Sequence, residues 1–214
     1  PLWVVPKLAE RVPAAILAND TQVIDVEAKL GYRPIAGRQA HVLARFPGNE
    51  YLRLSVHRKE LRIPGLAPAL DGLSIAHLSD LHMLGNLTEE FYAEVVAATH
   101  ALSPDVVCIT GDILEHPDCL PWIPRTLGQL AAPHGRYFII GNHEKRLPAT
   151  QPLRAAMVAA GYVDLGSRTE QVAWRGEPVW LSGSERPWFG SEPPPPDDDR
   201  STGDARPLRV LLSH

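Results

Sequence analysis

Sulfur is scarce in this chain. Two cysteines, Cys108 and Cys119, and two methionines stand among 214 residues. Neither cysteine sits in a CxxC or related spacing, so a thiolate zinc site of the usual kind is excluded, and the redox compartment stays open. Cys108 lies within Val106-Val107-Cys108-Ile109 and reads as a small buried hydrophobe rather than a reactive thiol. Basic excess is absent too. The formal net charge is -4, so no global field directs the chain to long nucleic acid. An anionic substrate would need local positive charge, which bound metal can supply. No apolar run approaches a membrane span, since Ala14–Ala18 is short and bounded by Pro13 and Asn19-Asp20. Internal repeats are absent as well.

What is present is enough for one domain with a sizeable core and a small appendage: 214 residues, 44% of them hydrophobic. The chain begins at Pro1 rather than Met and reads as a piece of a longer product. Residues 1–49 resist assignment, and Gln22–Leu30 suits strand or helix equally. From residue 50 the pattern clears. Tyr51–His57 alternates like a half-buried strand, and Pro64-Gly65 and Asp71-Gly72 mark turns.

A strand-then-helix rhythm follows. Leu73–Leu78 is an apolar strand. Thr88 is an N-cap for a helix with Phe91, Val95, Val96 and Thr99 on one face. Asp105–Thr110 is a second strand, Leu120–Leu130 has helical spacing, and Arg136–Ile140 is a third strand. Leu153–Ala160 is a helix ended by Gly161. Then Gln171–Trp174 and Pro178–Ser182 form a hairpin around Arg175-Gly176-Glu177. Pro193–Pro196 with Asp197–Asp199 is a solvated loop, and Leu208–Leu212 is a last buried strand. Strands alternating with helices predict an α/β fold on a mainly parallel sheet.

Polar residues follow directly on four of these strands: Ser79-Asp80-Leu81-His82, Gly111-Asp112, Gly141-Asn142-His143-Glu144 and Ser213-His214. Ligands of open α/β sheets bind beyond the carboxyl ends of the strands, so Asp80, His82, Asp112, Asn142, His143 and His214 should converge there. Carboxylate, amide oxygen and imidazole are ligands for manganese, iron or zinc. On an extended strand end Asp80 and His82, two apart, would project to one side. Gly111 and Gly141 allow tight turns and close approach. An aspartate can bridge two metals with its two oxygens, and paired metals clamp in-line displacement at phosphorus. Each motif alone has a structural explanation: Asp80 as a helix cap, Gly-Asp as a turn, Asn142 in a left-handed turn, His143 on the surface. Their occurrence in order, each after an apolar strand, favours the metal site.

Taken together these motifs resemble the calcineurin-like metallophosphoesterases, whose pattern is D-x-H, G-D, G-N-H-[DE], H and G-H-x-H. The match runs from about Tyr51 to His214, and the Gly65–Leu73 lead-in is similar to the bacterial branch of YkuE-type phosphoesterases and UDP-diacylglucosamine hydrolases. The resemblance implies an α/β sandwich of two stacked mixed sheets flanked by helices, with residues 50–214 as the phosphoesterase domain. It implies two divalent ions (Mn, Fe or Zn), Asp80 and His82 on the first, Asp112 bridging, Asn142 and His214 on the second, and His143 as the acid or charge stabiliser at the leaving oxygen. Hydroxide held between the metals would attack phosphorus in line. It also implies that Gly-His-x-His and the closing strands lie past His214, so that a polypeptide ending there holds metal weakly, aggregates and turns over little.

Lys145 and Arg146 stand where many relatives carry an aromatic residue. They are candidates for substrate phosphate or a solvated pair. Glu185 with Trp188 and Phe189 follows a strand and lines the pocket mouth or a local apolar cluster. His77 packs on its strand, His134 lies in a turn, and His41, His57, His100 and His116 have no partner spacing. The substrate class implied is a small phosphorylated molecule, a lipid-linked phosphate among the candidates. The competing classes are an inactive scaffold on the same fold, opposed by the intact ligand set, and a nuclease or nucleotide phosphodiesterase, where the missing basic stripe weighs against long nucleic acid but not against nucleotides.

Overall fold

The computed structural model describes residues 15–46, 48–196 and 207–214. Ala14 and the acidic run Asp197–Asp199 lie outside them. Two sheets stack on a shared core, and a two-stranded ribbon stands beside them.

The first sheet has four parallel strands in sequential order: β3 (Ile75–Leu78), β4 (Val106–Thr110), β5 (Arg136–Ile139) and β6 (Val163–Asp164). Every residue of β4 is buried, as expected of an inner parallel strand covered on both faces. One face packs on α3 (Glu89–Ala101) and α4 (Gln151–Ala159), with Ala76, Leu78, Val107, Ile109, Phe138 and Ile140 in that core. Helix α3 buries Tyr92, Val95, Val96 and Thr99, spaced three and four apart. Thr88 is its N-cap in position, but its hydroxyl meets the Glu90 carboxylate instead of capping the backbone.

The opposite face carries Val106, Cys108, Tyr137 and Ile139, which meet Trp174, Val179, Leu181 and Leu212 of the second sheet. There β7 (Arg168–Trp174) and β8 (Glu177–Ser184) are antiparallel, and β9 (Leu208–Ser213) runs parallel to β8. Mixed pairing is thus confined to this sheet. The β7–β8 hairpin closes through Arg175 (φ 49°) and Gly176 (φ 84°), a two-residue left-handed turn that matches strand twist. Cys108 is buried as read, and burial pushes its thiol up to about 12.

Two local readings are corrected. Leu120–Leu130 is not an α-helix: Pro117–Arg125 and Leu127–Gln129 are 3₁₀ turns. Pro121 and Pro124 lie inside the first and supply no N–H for an α-helical ladder. Gln22–Leu30 is strand and helix in succession. Strand β1 (Ile16–Asp25) ends where the Asp25 carboxylate caps α1 (Val26–Leu30) through the Ala28 N–H, at 2.9 Å. Strand β1 pairs antiparallel with β2 (Arg53–Leu61), and between them lies α2 (Arg38–Leu43). The ribbon is tied to the rest through Ile35, Ala40 and Leu52, which pack near Leu87 and Phe91.

At Gly183 the second sheet leaves no room for a side chain. A Cβ there would sit 2.3 Å from the Leu165 carbonyl oxygen and 2.7 Å from Ile139 Cγ2. Gly183→Ala should therefore destabilise the full-length protein by about 1–3 kcal/mol, the usual range for overpacking. Gly176→Asn should be near neutral, because nothing lies within 4 Å of that turn and Asn tolerates left-handed backbone. Urea midpoints of the two variants check this; equal shifts would place the constraint elsewhere.

Candidate metal centre

Strands β3, β4, β5 and β9 deliver their following residues to one edge. The loop after β3 runs beside the loop after β4: the His82 N–H donates to Asp112 O at 2.8 Å and the Met83 N–H to Ile113 O at 3.0 Å. Asp80 (φ 56°), His82 (φ 45°) and Asp112 (φ 51°) all have left-handed backbone. Asp80 and His82 thus reach the site by a left-handed turn, not as alternate residues of an extended strand. Strained backbone of this kind persists only where its surroundings hold it.

What holds it is Glu144. Its side chain is fully buried and accepts four backbone N–H groups. Asp112 at 3.1 Å and Gly141 at 2.7 Å bind Oε2, while Ile113 at 2.5 Å and Leu114 at 3.1 Å bind Oε1. Burial pushes the carboxyl above the ordinary carboxylate range, against the downward pull of the Leu114, Gly141 and Ile113 N–H groups. The loops it joins pack without space for a side chain. A Cβ on Gly111 (φ 88°) would lie 2.6 Å from Gly141 N, and one on Gly141 would lie 2.4 Å from Asp112 Oδ1.

The chemistry centres on Asp112, nearly buried. Its Oδ1 accepts the His143 backbone N–H at 2.8 Å. Its Oδ2 faces three imidazole Nε2 atoms: His214 at 3.4 Å, His82 at 3.8 Å and His143 at 3.9 Å. Oδ1 and Oδ2 of Asp112 thus face different partners. Glu115, which the sequence reading missed, fixes two of these rings. Its Oε1 lies 2.6 Å from His82 Nδ1 and 2.7 Å from His143 Nδ1, and its Oε2 takes Arg146. Burial opposes ionisation of Glu115, but hydrogen bonds from Arg146, His82 and His143 hold its carboxyl below the usual range. An ionised carboxylate only accepts, so both Nδ1 atoms carry the proton. His214 Nδ1 lies 2.7 Å from the Thr110 carbonyl oxygen, which assigns its proton likewise.

With the rings neutral, all three Nε2 atoms turn lone pairs toward Asp112 Oδ2. His214 Nε2 also faces Asn142 Oδ1 at 2.9 Å, and His82 Nε2 faces Asp80 Oδ1 at 3.6 Å. Acceptors facing acceptors repel unless a cation lies among them, so this donor set fits metal ions. Among the described residues, two groups have ligand atoms mutually within 4.8 Å: His82, Asp112 and His143; and Asp80, Asp112 and His214. Asp112 belongs to both.

The remaining candidates are scattered. Lys145 Nζ sits 4.6 Å over the Trp188 ring, a cation–π pair. Arg146 is turned onto Glu115. Glu185 is buried, its Oε1 accepting the Ile140 N–H at 2.8 Å and its Oε2 accepting from Arg154 at 2.6 Å, so it braces the end of β5. His77 Nε2 bonds Thr110 Oγ1 at 2.6 Å. Glu115 had one signal in sequence: an acidic residue three after Asp112 in an otherwise apolar stretch.

Comparison with known proteins agrees. Residues 73–198 match the family model for calcineurin-like phosphoesterases, more than half of the chain, and the chain belongs to that family. Among curated relatives, the uncharacterized metallophosphoesterase YkuE of Bacillus subtilis is 33% identical over 96 residues, covering 43% of this chain and 33% of that protein. UDP-2,3-diacylglucosamine pyrophosphatase LpxG of Chlamydia trachomatis is 33% identical over 96 residues, 42% of this chain and 28% of that one. The transmembrane protein with metallophosphoesterase domain of Bos taurus is 30% identical over 127 residues, 56% of this chain and 28% of that one. The chain spans about a third of the length of these relatives. No helix among the described residues is long and apolar enough to cross a membrane.

Glu144→Gln should cost at least about 1–3 kcal/mol, since an amide NH₂ on either side would confront two backbone N–H donors. Manganese affinity should fall with it, because the loops bearing Asp112 and Asn142 lose their tie. Urea unfolding and metal titration check both; a variant of unchanged stability and affinity would refute the tie.

Proposed function

We propose that this protein is a metal-dependent phosphoesterase with a dinuclear centre, cleaving phosphomonoester, phosphodiester or pyrophosphate bonds. The observation that carries the reading is the convergence of three imidazole Nε2 atoms on one oxygen of Asp112. Asp80, His82, Asp112, Asn142 and His214 would hold the ions. Divalent ions there would polarise the phosphoryl group and lower the pKa of water at the site.

The chain's own residues do the rest. Asp112 is held by the His143 N–H at Oδ1, with Oδ2 turned toward the three imidazoles. Glu115 keeps His143 in one tautomer and orientation through Nδ1. When protonated, His143 presents Nε2–H on the side where the leaving oxygen departs, and donates to it. Arg146 occupies the second oxygen of Glu115 and so acts on the rings, while Lys145 with Trp188 stands as the pair available to a substrate. The LpxG relative is named for a pyrophosphatase activity on a diacyl sugar nucleotide, which supports a lipid-linked phosphate among the substrates.

Two variants of the full-length, manganese-loaded protein test this. Asp112→Asn should abolish turnover and loosen metal. With its oxygen on the His143 N–H, its NH₂ would replace the anionic oxygen among the three rings. Elemental analysis showing full metal in an active variant would refute the assignment. His143→Ala should keep the fold and most metal, but slow hydrolysis by about 10²–10⁴ for poor leaving groups, and less for nitrophenyl esters. Equal losses for both would give His143 another role.

A further inference from the structure

Beside the metal centre lies a pocket of about 140 Å³ with no part in the chemistry above. Its floor is Leu114, Leu147 and Leu153, all buried, and its rim is Pro117, Pro148 and Pro152, all exposed. The walls are the loops that leave the carboxyl ends of β4 and β5. Those same loops carry Asp112 and Glu115, and Asn142 and His143. The floor is tied to the site by backbone. The Leu114 N–H donates to Glu144 Oε1 at 3.1 Å and the Leu147 N–H to Glu144 O at 3.2 Å. Leu114 precedes Glu115, and only Glu144, Lys145 and Arg146 separate Leu147 from His143.

The lining side chains are apolar, and the three rim prolines have no backbone N–H. Water inside finds few partners, and apolar cavities of this size in proteins take small hydrocarbons. The volume is that of one aliphatic or ring group, far below what a docked protein covers. The Arg146–Glu115 ion pair adjoins the lining residues Leu147 and Leu114 in sequence, and the Arg146 side chain is 61% exposed. A ligand matching this surface has a phosphate at one end and a hydrocarbon at the other.

The geometry points to a phosphoester with an aliphatic arm as the substrate class, the phosphoryl group at the metal centre and the arm in the Leu114–Leu147–Leu153 pocket. This rests on the phosphoesterase reading, so the test has one arm that needs no turnover. With full-length, manganese-loaded protein, 4-nitrophenyl methyl phosphate and 4-nitrophenyl hexyl phosphate share a leaving group and charge. The hexyl ester should have at least a tenfold higher kcat/KM, the effect of about two buried methylenes. Hexylphosphonate, which is not hydrolysed, should bind at least about tenfold more tightly than methylphosphonate by calorimetry. Ala149→Trp, a change at an exposed rim residue, should abolish both gains and leave the methyl ester within about twofold. Pro152→Asp, whose carboxylate suits the first turn of α4, should do the same and guards against a misfolded Trp variant. Equal kcat/KM and equal affinity for methyl and hexyl ligands would overturn the pocket and leave the phosphoesterase standing. Chain-length gains that survive both variants would overturn its location. Tight hexylphosphonate binding lost in both variants, with no ester hydrolysed, would support the pocket and overturn the phosphoesterase.

Discussion

The carboxylate of Glu144 is a buried charge surrounded by backbone. Four N–H groups from two loops point at its two oxygens, and charge-assisted bonds of this kind are stronger than neutral ones. The acceptor comes from the β5 loop, and three of its four donors come from the β4 loop. The spacing between these loops, the left-handed turn at Asp112 and the glycine contact at Gly111 and Gly141 are all set by that one side chain. The bond geometry explains why the acid must be ionised in its working state despite burial: a protonated oxygen would confront N–H donors.

A second carboxylate, Glu115, organises side chains as Glu144 organises backbone. One of its oxygens receives two histidines and the other an arginine. The rings are thereby turned so that their free nitrogens face Asp112. Negative charge is distributed in layers: Asp112 and Asp80 on the side that the imidazole Nε2 atoms face, and Glu115 behind the imidazoles. Ligand basicity and ring orientation both depend on that outer layer.

Much of this was legible in the sequence because parallel strands announce themselves. Runs such as Val106–Thr110 are apolar throughout, and whatever polar residue follows is placed at the sheet edge. Asp80, His82, Asp112, Asn142, His143 and His214 were found that way. Glu115 and the role of Glu144 were not, because each acts through contacts about 30 residues away in sequence that no local periodicity encodes. The 3₁₀ turns at Pro117–Arg125 were misread because apolar residues three apart suit both helix types until the prolines are weighed. Strand β1 was ambiguous because its ribbon has no fully buried face, so the alternation that marks a strand is blurred.

Among the described candidate site residues, His214 is made after Asn142 and His143. Its contacts with Thr110 and Asn142 span 104 and 72 residues, among the longest loops the fold must close. At elongation rates of about 5–20 residues per second, roughly 4–14 s pass between synthesis of Asn142 and of His214. Throughout that interval the β3, β4 and β5 loops can already assemble around Glu144, with His82, Asp112 and His143 in place. The ligand group shared by Asp80 and Asp112 waits for its imidazole. Synthesis thus imposes an order on the two halves of the site that the finished molecule no longer displays.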